Sequence, residues 1–381
     1  MGPSLILVAF VAMLMVMSRR KRFDRLFQWL PIPLWCYGVP MILRTLGVLA
    51  NPREAYAWIT EIGLPVALGL LLLSADLFSL RRLGLRACLA MALGSAGIML
   101  GGPLMLWICQ WSLPLDAWKG IGALAATWTG GSFNMLSLQT ILDIPVSLFA
   151  PLVVVDALVA YSWMVCLIAC RSAASTVDRW LGAAEPDQPR PTIPAVTPSV
   201  SRSLPATLRA LAIAMALTVV CRWFAERLPL GRLIATTTGW TVLLVTTSAL
   251  VLSCVPVTRR VGQQGSQIGE PCLYVVLASL GAQANLWMLV ATPMWVVVGF
   301  GCLAIHAVLL LIGGRLLRLP LGILATASQA NVGGVVSAPL VGAVYSRDLA
   351  PVGLYLAIVA NALGTYLGLL TAWIARLVVG A

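Results

Sequence analysis

Residues 126–135 read Ala-Thr-Trp-Thr-Gly-Gly-Ser-Phe-Asn-Met, in the middle of a hydrophobic segment of the chain. The glycine pair weakens an α-helix, and the side chains of Thr, Ser and Asn compete for its backbone hydrogen bonds. A similar interruption, Ala-Ser-Gln-Ala-Asn-Val-Gly-Gly-Val-Val-Ser, occupies residues 327–337 of a second hydrophobic segment. In lipid such an interruption persists only where protein or a water-filled cavity surrounds it. Two broken helices at corresponding places are the sequence pattern that points to the binding site of a secondary transporter.

The composition is that of an integral membrane protein. The chain has 381 residues, of which 60% are hydrophobic and 10% are charged, and its mean hydropathy is +0.95. Soluble domains carry roughly 25% charged residues. In a membrane protein, an excess of basic residues such as the one behind the net charge of +12 more often sets the orientation in the bilayer than binds nucleic acid. We expect no nucleic-acid partner, because no basic run is interleaved with aromatic residues. The nine Cys lie mostly in apolar segments, which favours packing over metal binding or disulfides.

The chain has twelve apolar segments, six in each of two halves. A Pro-rich polar stretch at 172–205, which we expect to be an extended linker, separates a first transmembrane repeat at 1–171 from a second at 206–381. Landmarks recur in both halves in the same order. The two Gly-Gly pairs are 203 residues apart, and Asp156-Ala157-Leu158 precedes Asn361-Ala362-Leu363 by 205 residues. The pattern predicts an internal duplication of about six hydrophobic segments per half.

The basic residues indicate how the halves are oriented. If every segment crosses the membrane, the two sides carry 12 and 13 Lys or Arg residues, which is no bias. If the interrupted fifth segment of each half enters and leaves on the same side, the counts become 18 and 7, as the positive-inside rule expects. We therefore expect an all-α polytopic membrane protein with inverted repeats, two re-entrant hairpins, extracytoplasmic termini and a cytoplasmic linker. A broken helix that crosses the membrane is the alternative.

Asp156 is the main candidate for ion coupling. It stands near the middle of the sixth apolar segment, where a carboxylate is costly and is a functional hypothesis by default. It could bind a cation or carry a proton, and a structural partner for a loose backbone end is the alternative. Its counterpart Asn361 cannot titrate, so the pair offers oxygen ligands for one Na⁺ or a single proton site. Asn134 and Asn331 could complete a transient Na⁺ site, and we expect no other metal and no cofactor.

The two breaks supply the candidate substrate-binding groups. They offer hydroxyls, amides, freed backbone groups and the N-termini of half-helices, which direct partial positive charge at a ligand. Close packing of small residues explains Gly-Gly alone, but hardly the amides at both breaks. His306, the only histidine, relays a proton or serves as a neutral hydrogen-bonding residue. The predicted substrate-binding residues are Trp128, Thr129, Gly130, Gly131, Ser132, Asn134, Ser328, Gln329, Asn331, Gly333 and Gly334.

These motifs resemble a known family. The runs at 127–134 and 327–334 are similar to the paired motifs of the bacterial and plastid "domain of unknown function 819" membrane proteins, and Asp156 and the run Gly364-Thr365-Tyr366-Leu367-Gly368 fit the same pattern. That family is grouped with cation/proton antiporters and with sodium-coupled bile-acid, glutamate and citrate symporters. The resemblance covers most of the chain and implies a panel or scaffold domain, a core domain in which two interrupted segments cross, alternating access and a homodimer. Val335 and Val336 stand where the family more often has a proline and a small polar residue.

The sequence supports three functions. The first is a secondary active transporter that moves a small polar solute (amino-acid-like, carboxylate or peptide) by alternating access coupled to Na⁺ or H⁺. The second is a Na⁺/H⁺-type cation/proton antiporter without an organic substrate. The third is an intramembrane enzyme, which we do not expect because such enzymes need clustered acids, histidines or metal ligands near a membrane face. The expected partners are the solute, the coupling cation and the lipid bilayer of the inner cell membrane.

Overall fold

A computed structural model describes residues 2–23, 26–27, 32–49, 53–76, 83–183 and 204–380. Within these ranges the regular structure is helical and contains no β-strand. The helices of the first half are α1 (Gly2–Ser18), α2 (Ile32–Thr45), α3 (Arg53–Trp58), α4 (Leu64–Leu72), α5 (Leu85–Cys109), α6 (Ala117–Gly130), α7 (Ser132–Ile141), α8 (Val146–Ala169) and α9 (Ala174–Leu181). Those of the second half are α10 (Leu204–Ala225), α11 (Thr237–Ser253), α12 (Pro256–Gly281), α13 (Thr292–Leu316), α14 (Leu321–Val332), α15 (Gly334–Tyr345) and α16 (Leu349–Val379).

Several of these helices are long and apolar enough to cross a membrane. A hydrocarbon core of about 30 Å needs about 20 apolar residues in a helix. In the described part of the chain, five helical stretches meet this requirement: Leu85–Ser112, Val146–Leu181, Leu204–Ala225, Pro293–Leu316 and Leu349–Val379. The chain is therefore a helical membrane protein, as its composition predicts.

The helices form two compact units, and each unit takes elements from both halves of the sequence. Unit 1 comprises Met1–Ala75, Gln139–Val154 and Val200–Thr292, and unit 2 comprises Asp76–Leu138, Val155–Ser199 and Pro293–Ala381. The boundary between the units falls within α7 and again within α8. The first three apolar segments of each half thus belong mainly to unit 1, and the last three belong mainly to unit 2.

Unit 1 is built around the antiparallel pair α4 and α12. A Cβ atom placed on Gly265 would lie 2.6 Å from Leu70, and one placed on Gly269 would lie 3.2 Å from the carbonyl oxygen of Ala67. Because the contacts run in opposite directions along the two helices, the helices are antiparallel. Helices α10 and α11 pack on α4, whereas α1 and α2 pack on α12. Glycines let the helix backbones approach closely at this contact.

Unit 2 contains a second antiparallel pair, α5 and α13. A Cβ atom on Gly97 would lie 2.7 Å from the Cα atom of His306, and one on Gly101 would lie 3.2 Å from the Cα atom of Cys302. The Sγ atom of Cys302 also lies 3.6 Å from the carbonyl oxygen of Ile98. Such contacts leave no room for side chains at the glycines, so the small residues of α5 are a packing requirement.

Both predicted interruptions are confirmed. Helix α6 ends at Gly130 and α7 begins at Ser132, while α14 ends at Val332 and α15 begins at Gly334. Gly131 and Gly334 have φ angles of +87° and +78°. Glycine occupies this left-handed region without the steric cost that other residues meet. The breaks are therefore a local consequence of the glycine pairs.

The second interrupted segment folds back on itself as a helical hairpin. A Cβ atom on Gly322, near the start of α14, would lie 3.2 Å from the Cβ atom of Tyr345, at the end of α15. Near the tip, the Nε2 atom of Gln329 donates to the Oγ atom of Ser337 at 2.8 Å. A straight helix would place Gly322 and Tyr345 about 34 Å apart at 1.5 Å per residue. For both interrupted segments, entry and exit on the same side of the membrane stays a prediction.

The linker begins differently from the expected extended chain. Residues 174–181 form α9, whose Ala174 and Leu181 side chains are buried against α14 and the residues before it. The Oδ1 atom of Asp178 accepts a hydrogen bond from the backbone nitrogen of Leu321 at 2.7 Å, at the first turn of α14. The extended prediction fails here because the short helix buries one apolar face and caps a neighbouring helix. Residues 184–203, which carry the linker's prolines at 186–198, lie outside the described residues.

Candidate functional site

The first break lies within unit 2, between α6 and α7. The backbone nitrogen of Gly131 donates to the carbonyl oxygen of Thr127 at 2.6 Å and ends α6. The backbone nitrogen of Asn134 donates to the carbonyl oxygen of Gly131 at 3.0 Å and starts α7. The end of one helix and the start of the next therefore meet at one residue, which brings backbone carbonyls and backbone N–H groups together.

Asn134 closes this break with its side chain. It is buried, and its Nδ2 atom donates to the carbonyl oxygens of Gly130 at 2.5 Å and Asn361 at 3.2 Å. Its Oδ1 atom accepts from the Oγ1 atom of Thr365 at 2.6 Å. These bonds satisfy a carbonyl that the broken helix leaves open and tie the break to α16. Both ends of the Asn134 amide therefore have protein partners. Its roles as a Na⁺ ligand and as a substrate-binding residue stay predictions.

Asp156 spans the first break from α8. Its Oδ1 atom accepts from the Oγ1 atom of Thr127 at 3.1 Å, and its Oδ2 atom accepts from the Oγ atom of Ser132 at a longer 3.5 Å. Thr127 lies in the last turn of α6 and Ser132 in the first turn of α7. Asp156 is half-buried, and Ser132 beside it is exposed. A carboxylate with two hydroxyls at a helix N-terminus can hold a proton or contribute to a hard-cation site.

Asn361 faces the same break from α16. Its Oδ1 atom lies 2.8 Å from the position that a Cβ atom on Gly131 would take. Asn361 is half-buried, like Asp156. Gly131 therefore lies beside the amide of Asn361 and between two residues, Thr127 and Ser132, that bond Asp156. The structure brings together the acid and the amide that the sequence predicts as an ion-coupling pair.

The second break is held by a network around His306. The Nδ1 atom of His306 lies 2.8 Å from the carbonyl oxygen of Gly94, and its Nε2 atom lies 2.7 Å from the Oγ atom of Ser328. The Nε1 atom of Trp163 donates to the same Oγ atom at 2.8 Å. A carbonyl only accepts, so Nδ1 carries the proton, and the Ser328 hydroxyl can donate to Nε2 of a neutral imidazole. The arrangement favours a neutral hydrogen-bonding role for His306.

Asn331 is attached to α5. Its Nδ2 atom donates to the carbonyl oxygen of Met91 at 3.0 Å, and its Oδ1 atom accepts from the Oγ atom of Ser95 at 3.3 Å. These contacts anchor the second hairpin to α5. They do not join Asn331 to the Asp156 carboxylate, with which the sequence groups it as a Na⁺ ligand.

Gln329 and Ser337 lie over the glycine pair of the second break. The Cδ atom of Gln329 is 2.8 Å from the position of a Cβ atom on Gly333, and Ser337 Oγ also contacts this position. The Gln329 side chain is 1% exposed. Its Nε2 atom bonds Ser337, whereas its Oε1 atom has no hydrogen-bond partner among the described residues. The second break therefore contains a buried acceptor that the described residues leave without a hydrogen-bond donor.

Two further predicted residues pack inside unit 2. The Oγ1 atom of Thr129 donates to the carbonyl oxygen of Ala125 at 2.7 Å, within its own helix. Trp128 is 1% exposed and its ring lies 3.3 Å from the position of a Cβ atom on Gly299 in α13. A substrate contact by Thr129 or Trp128 stays a prediction.

Four polar residues that contact the breaks are missing from the predicted set: Thr127, Thr365, Trp163 and Ser95. Thr365 follows Asn361 by four residues and Trp163 follows Asp156 by seven, so each shares a helix face with a residue that the sequence does single out. Helical spacing from Asp156 and Asn361 could have identified them. Ser95 has no comparable signal, because its contact depends on the packing of α5 against the second hairpin.

The fold and the site define a class: a helical membrane protein with two broken helices and buried polar groups at both breaks. The chain belongs to the family described as "Protein of unknown function (DUF819)", whose model matches residues 5–377. The family resemblance stated from the two motifs is thereby confirmed over nearly the whole chain. A comparison with curated proteins finds no match.

Proposed function

We propose that this protein is a cation-coupled secondary transporter of a small polar solute that works by alternating access. The observation that carries the proposal is the position of Asp156. Its carboxylate lies within an apolar helix of membrane length and accepts hydrogen bonds from both sides of a helix break. An acid within a membrane-spanning segment is costly, and broken helices are tolerated where they form binding sites. The proposal includes kinship with the cation/proton antiporters and the sodium-coupled anion symporters.

The antiparallel helix pairs support inverted repeats. Helices α5 and α13 derive from the fourth apolar segments of the two halves, and α4 and α12 derive from the third. Equivalent helices that pack antiparallel run in opposite directions, which is the geometry that two inverted halves would give. We propose that the repeats at 1–171 and 206–381 are inverted in this sense.

A pair of equivalent helix contacts between the two halves supports the same proposal. Gly122 of α6 packs on Ala372 of α16, where a Cβ atom on Gly122 would lie 2.5 Å from that of Ala372. The counterpart of α6 in the second half is α14, and the counterpart of α16 in the first half is α8. These two helices are also in contact, because Ala325 of α14 and Leu167 of α8 share one apolar cluster. Gly122 corresponds to Ala325 at an offset of 203 residues, and Leu167 corresponds to Ala372 at an offset of 205 residues, so the two contacts are equivalent. The fifth segment of each half thus packs on the sixth segment of the other.

Basic residues at one end of unit 2 support the proposed orientation. The Nε atom of Arg171 donates to the carbonyl oxygen of Val344 at 3.3 Å, and Arg315 donates to the carbonyl oxygen of Trp180. These contacts bring the start of the linker, the end of α13 and the base of the second hairpin together. The positive-inside rule then favours a cytoplasmic linker. We propose an inner-membrane protein with extracytoplasmic termini, in which unit 1 is the scaffold and unit 2 the moving core of a homodimer.

The chemistry of the first break suits one coupling ion. The Asp156 carboxylate, the Asn361 amide oxygen and the Ser132 hydroxyl are oxygen groups of the kind that Na⁺ prefers. Because Asn361 is an amide, the pair carries a single negative charge. One Na⁺ or one proton would neutralise that charge, after which the core could move through the bilayer with a lower electrostatic cost.

Thermal unfolding of the purified protein tests the proposal. We expect Na⁺ to raise the melting temperature relative to choline, since a ligand at a hundred times its Kd contributes about 2.7 kcal/mol. Asp156→Asn should abolish the Na⁺ effect, and the control Asp143→Asn, at an exposed acid in the loop before α8, should retain it. An unchanged Na⁺ response in Asp156→Asn would refute the ion site. In proteoliposomes, H⁺-driven Na⁺ exchange that needs Asp156 but no solute would instead identify an antiporter.

A further inference from the structure

The two breaks differ in what lies beside the left-handed glycine. At the first break, the amide oxygen of Asn361 lies 2.8 Å from the Cβ position of Gly131. At the second break, no described atom lies within 4 Å of the Cβ position of Gly334. The first turn of α15 therefore borders open space, whereas the corresponding turn of α7 is covered by a side chain.

Gln329 is an independent sign of a ligand at the second break. Its side chain is 1% exposed, and its Oε1 atom has no hydrogen-bond partner in the described part of the chain. The amide lies over Gly333, the residue that joins the two helices of the hairpin. Buried polar groups without a partner are rare and costly, so an unsatisfied acceptor in this position needs a donor from outside the described residues.

The polarity of the two helix ends defines the charge that such a ligand needs. Helix α14 ends at Val332 and α15 begins at Gly334, and each helix has 12 residues. The last carbonyls of α14 carry partial negative charge, and the first N–H groups of α15 carry partial positive charge. Because one residue separates the ends, the Cα atoms of Val332 and Gly334 lie within about 8 Å of one another, at 3.8 Å per Cα step.

The hairpin contributes no ionised side chain to balance a ligand with net charge. Residues 321–345 include no Asp, Glu, Lys, Arg or His. A dicarboxylate would meet no cation on the hairpin, and a free metal cation near the unpaired amide would face the positive end of α15. A molecule with both charges close together and a net charge of zero matches the two helix ends.

We infer that the tip of the second hairpin binds the zwitterionic group of an α-amino acid. The carboxylate accepts hydrogen bonds from the backbone N–H groups in the first turn of α15. The ammonium group donates to Gln329 Oε1 and to the freed carbonyls at the end of α14. Ser337, which accepts from Gln329 Nε2, holds the amide in this orientation. The inference names the solute of the proposed transporter, and for transport, although not for binding, it rests on that proposed function.

The test is a thermal-shift and calorimetric comparison on the purified full-length protein. The probes are the individual common α-amino acids and succinate, followed by the methyl ester and the N-acetyl derivative of any amino acid that binds. We expect at least one amino acid to bind and both derivatives, each of which lacks one of the two charges, to bind at least tenfold more weakly. Equal binding of a derivative, or binding of succinate in preference to every amino acid, overturns the inference.

Variants locate the site. Gln329→Leu removes the acceptor and should weaken amino-acid binding by about tenfold to a hundredfold, the range for a hydrogen bond to a charged group. Thr326→Val is the matched control, because Thr326 is equally buried on the same helix and its hydrogen bond among the described residues stays within that helix, to the carbonyl oxygen of Gly322. If Gln329→Leu does not fold, Ser337→Ala, which frees the amide from its orientation, should weaken binding at least threefold. Wild-type affinity in a folded Gln329→Leu or Ser337→Ala variant overturns the assignment.

The outcome separates this inference from the proposed function. If Na⁺ stabilises the protein through Asp156 but no α-amino acid binds, the ion site stands and the inferred substrate class is wrong. If an amino acid binds through Gln329 while Na⁺ and pH have no effect on uptake, the substrate class stands and the proposed ion coupling is wrong.

Discussion

The contact between α6 and α16 gives a prediction whose size follows from the structure. Small residues repeat at every fourth position on both facing surfaces: Gly122, Ala126 and Gly130 on α6, and Gly364, Gly368 and Ala372 on α16. A Cβ atom on Gly368 would lie 2.5 Å from the Cβ atom of Ala126 and 2.9 Å from the carbonyl oxygen of Gly122. The substitution Gly368→Ala therefore places a methyl group where the two backbones already touch.

The added methyl group forces the helices apart. Carbon atoms pack at about 3.5–4.0 Å, so a separation of 2.5 Å must increase by about 1 Å. Overpacking of this kind costs about 1–3 kcal/mol. With an unfolding entropy of about 2.1 cal/mol/K per residue, a chain of 381 residues loses about 1.3 °C per kcal/mol, so the melting temperature should fall by about 1–4 °C. Because α6 leads into the first break, the shift should also weaken the Na⁺ response.

The assay is thermal unfolding in one detergent and at one salt concentration. Gly38→Ala is the control, because Gly38 lies within α2 and no described atom is within 4 Å of its Cβ position. Alanine favours a helix over glycine by up to about 1 kcal/mol, so Gly38→Ala should leave the melting temperature unchanged or slightly raised. A Gly368→Ala protein as stable as the wild type would refute the packing argument.

Two further predictions concern the second hairpin. In a background without the native Cys, the pair Gly322→Cys and Tyr345→Cys should form a disulfide on mild oxidation, because the Cβ positions are 3.2 Å apart and a small separation of the two helix arms reaches the roughly 3.5–4.5 Å of a disulfide. Failure of the pair to cross-link in folded protein would contradict the hairpin. Asp178→Ala should destabilise the first turn of α14 by about 0.5–2 kcal/mol, the range for loss of a capping side chain, and hydrogen exchange at the Leu321 amide should accelerate. Unchanged exchange at that amide would show that the linker helix does not cap α14.

Parts of the fold follow from local sequence alone. A glycine pair among Thr, Ser and Asn ends a helix wherever the helix lies, because it changes the backbone preference and offers competing hydrogen bonds. The breaks at Gly131 and at Gly333 and Gly334 were predictable for this reason. The linker helix at 174–181 was not predicted, because its stability comes from burial of Ala174 and Leu181 against distant residues.

The sequence by itself determined that this is a helical membrane protein and that it belongs to this family. It also determined the positions of the two helix breaks. These properties depend on composition, on the short-range conformational preferences of glycine and on motif residues close together in the chain.

Only the tertiary structure decided which polar groups meet. Asp156 and Asn361, separated by 205 residues, face the first break together, whereas Asn331 bonds α5 and Gln329 keeps an unpaired oxygen. The physical reason is that a buried polar group is satisfied by whichever helix packs against it, and that partner is set by close packing of small residues far apart in the chain.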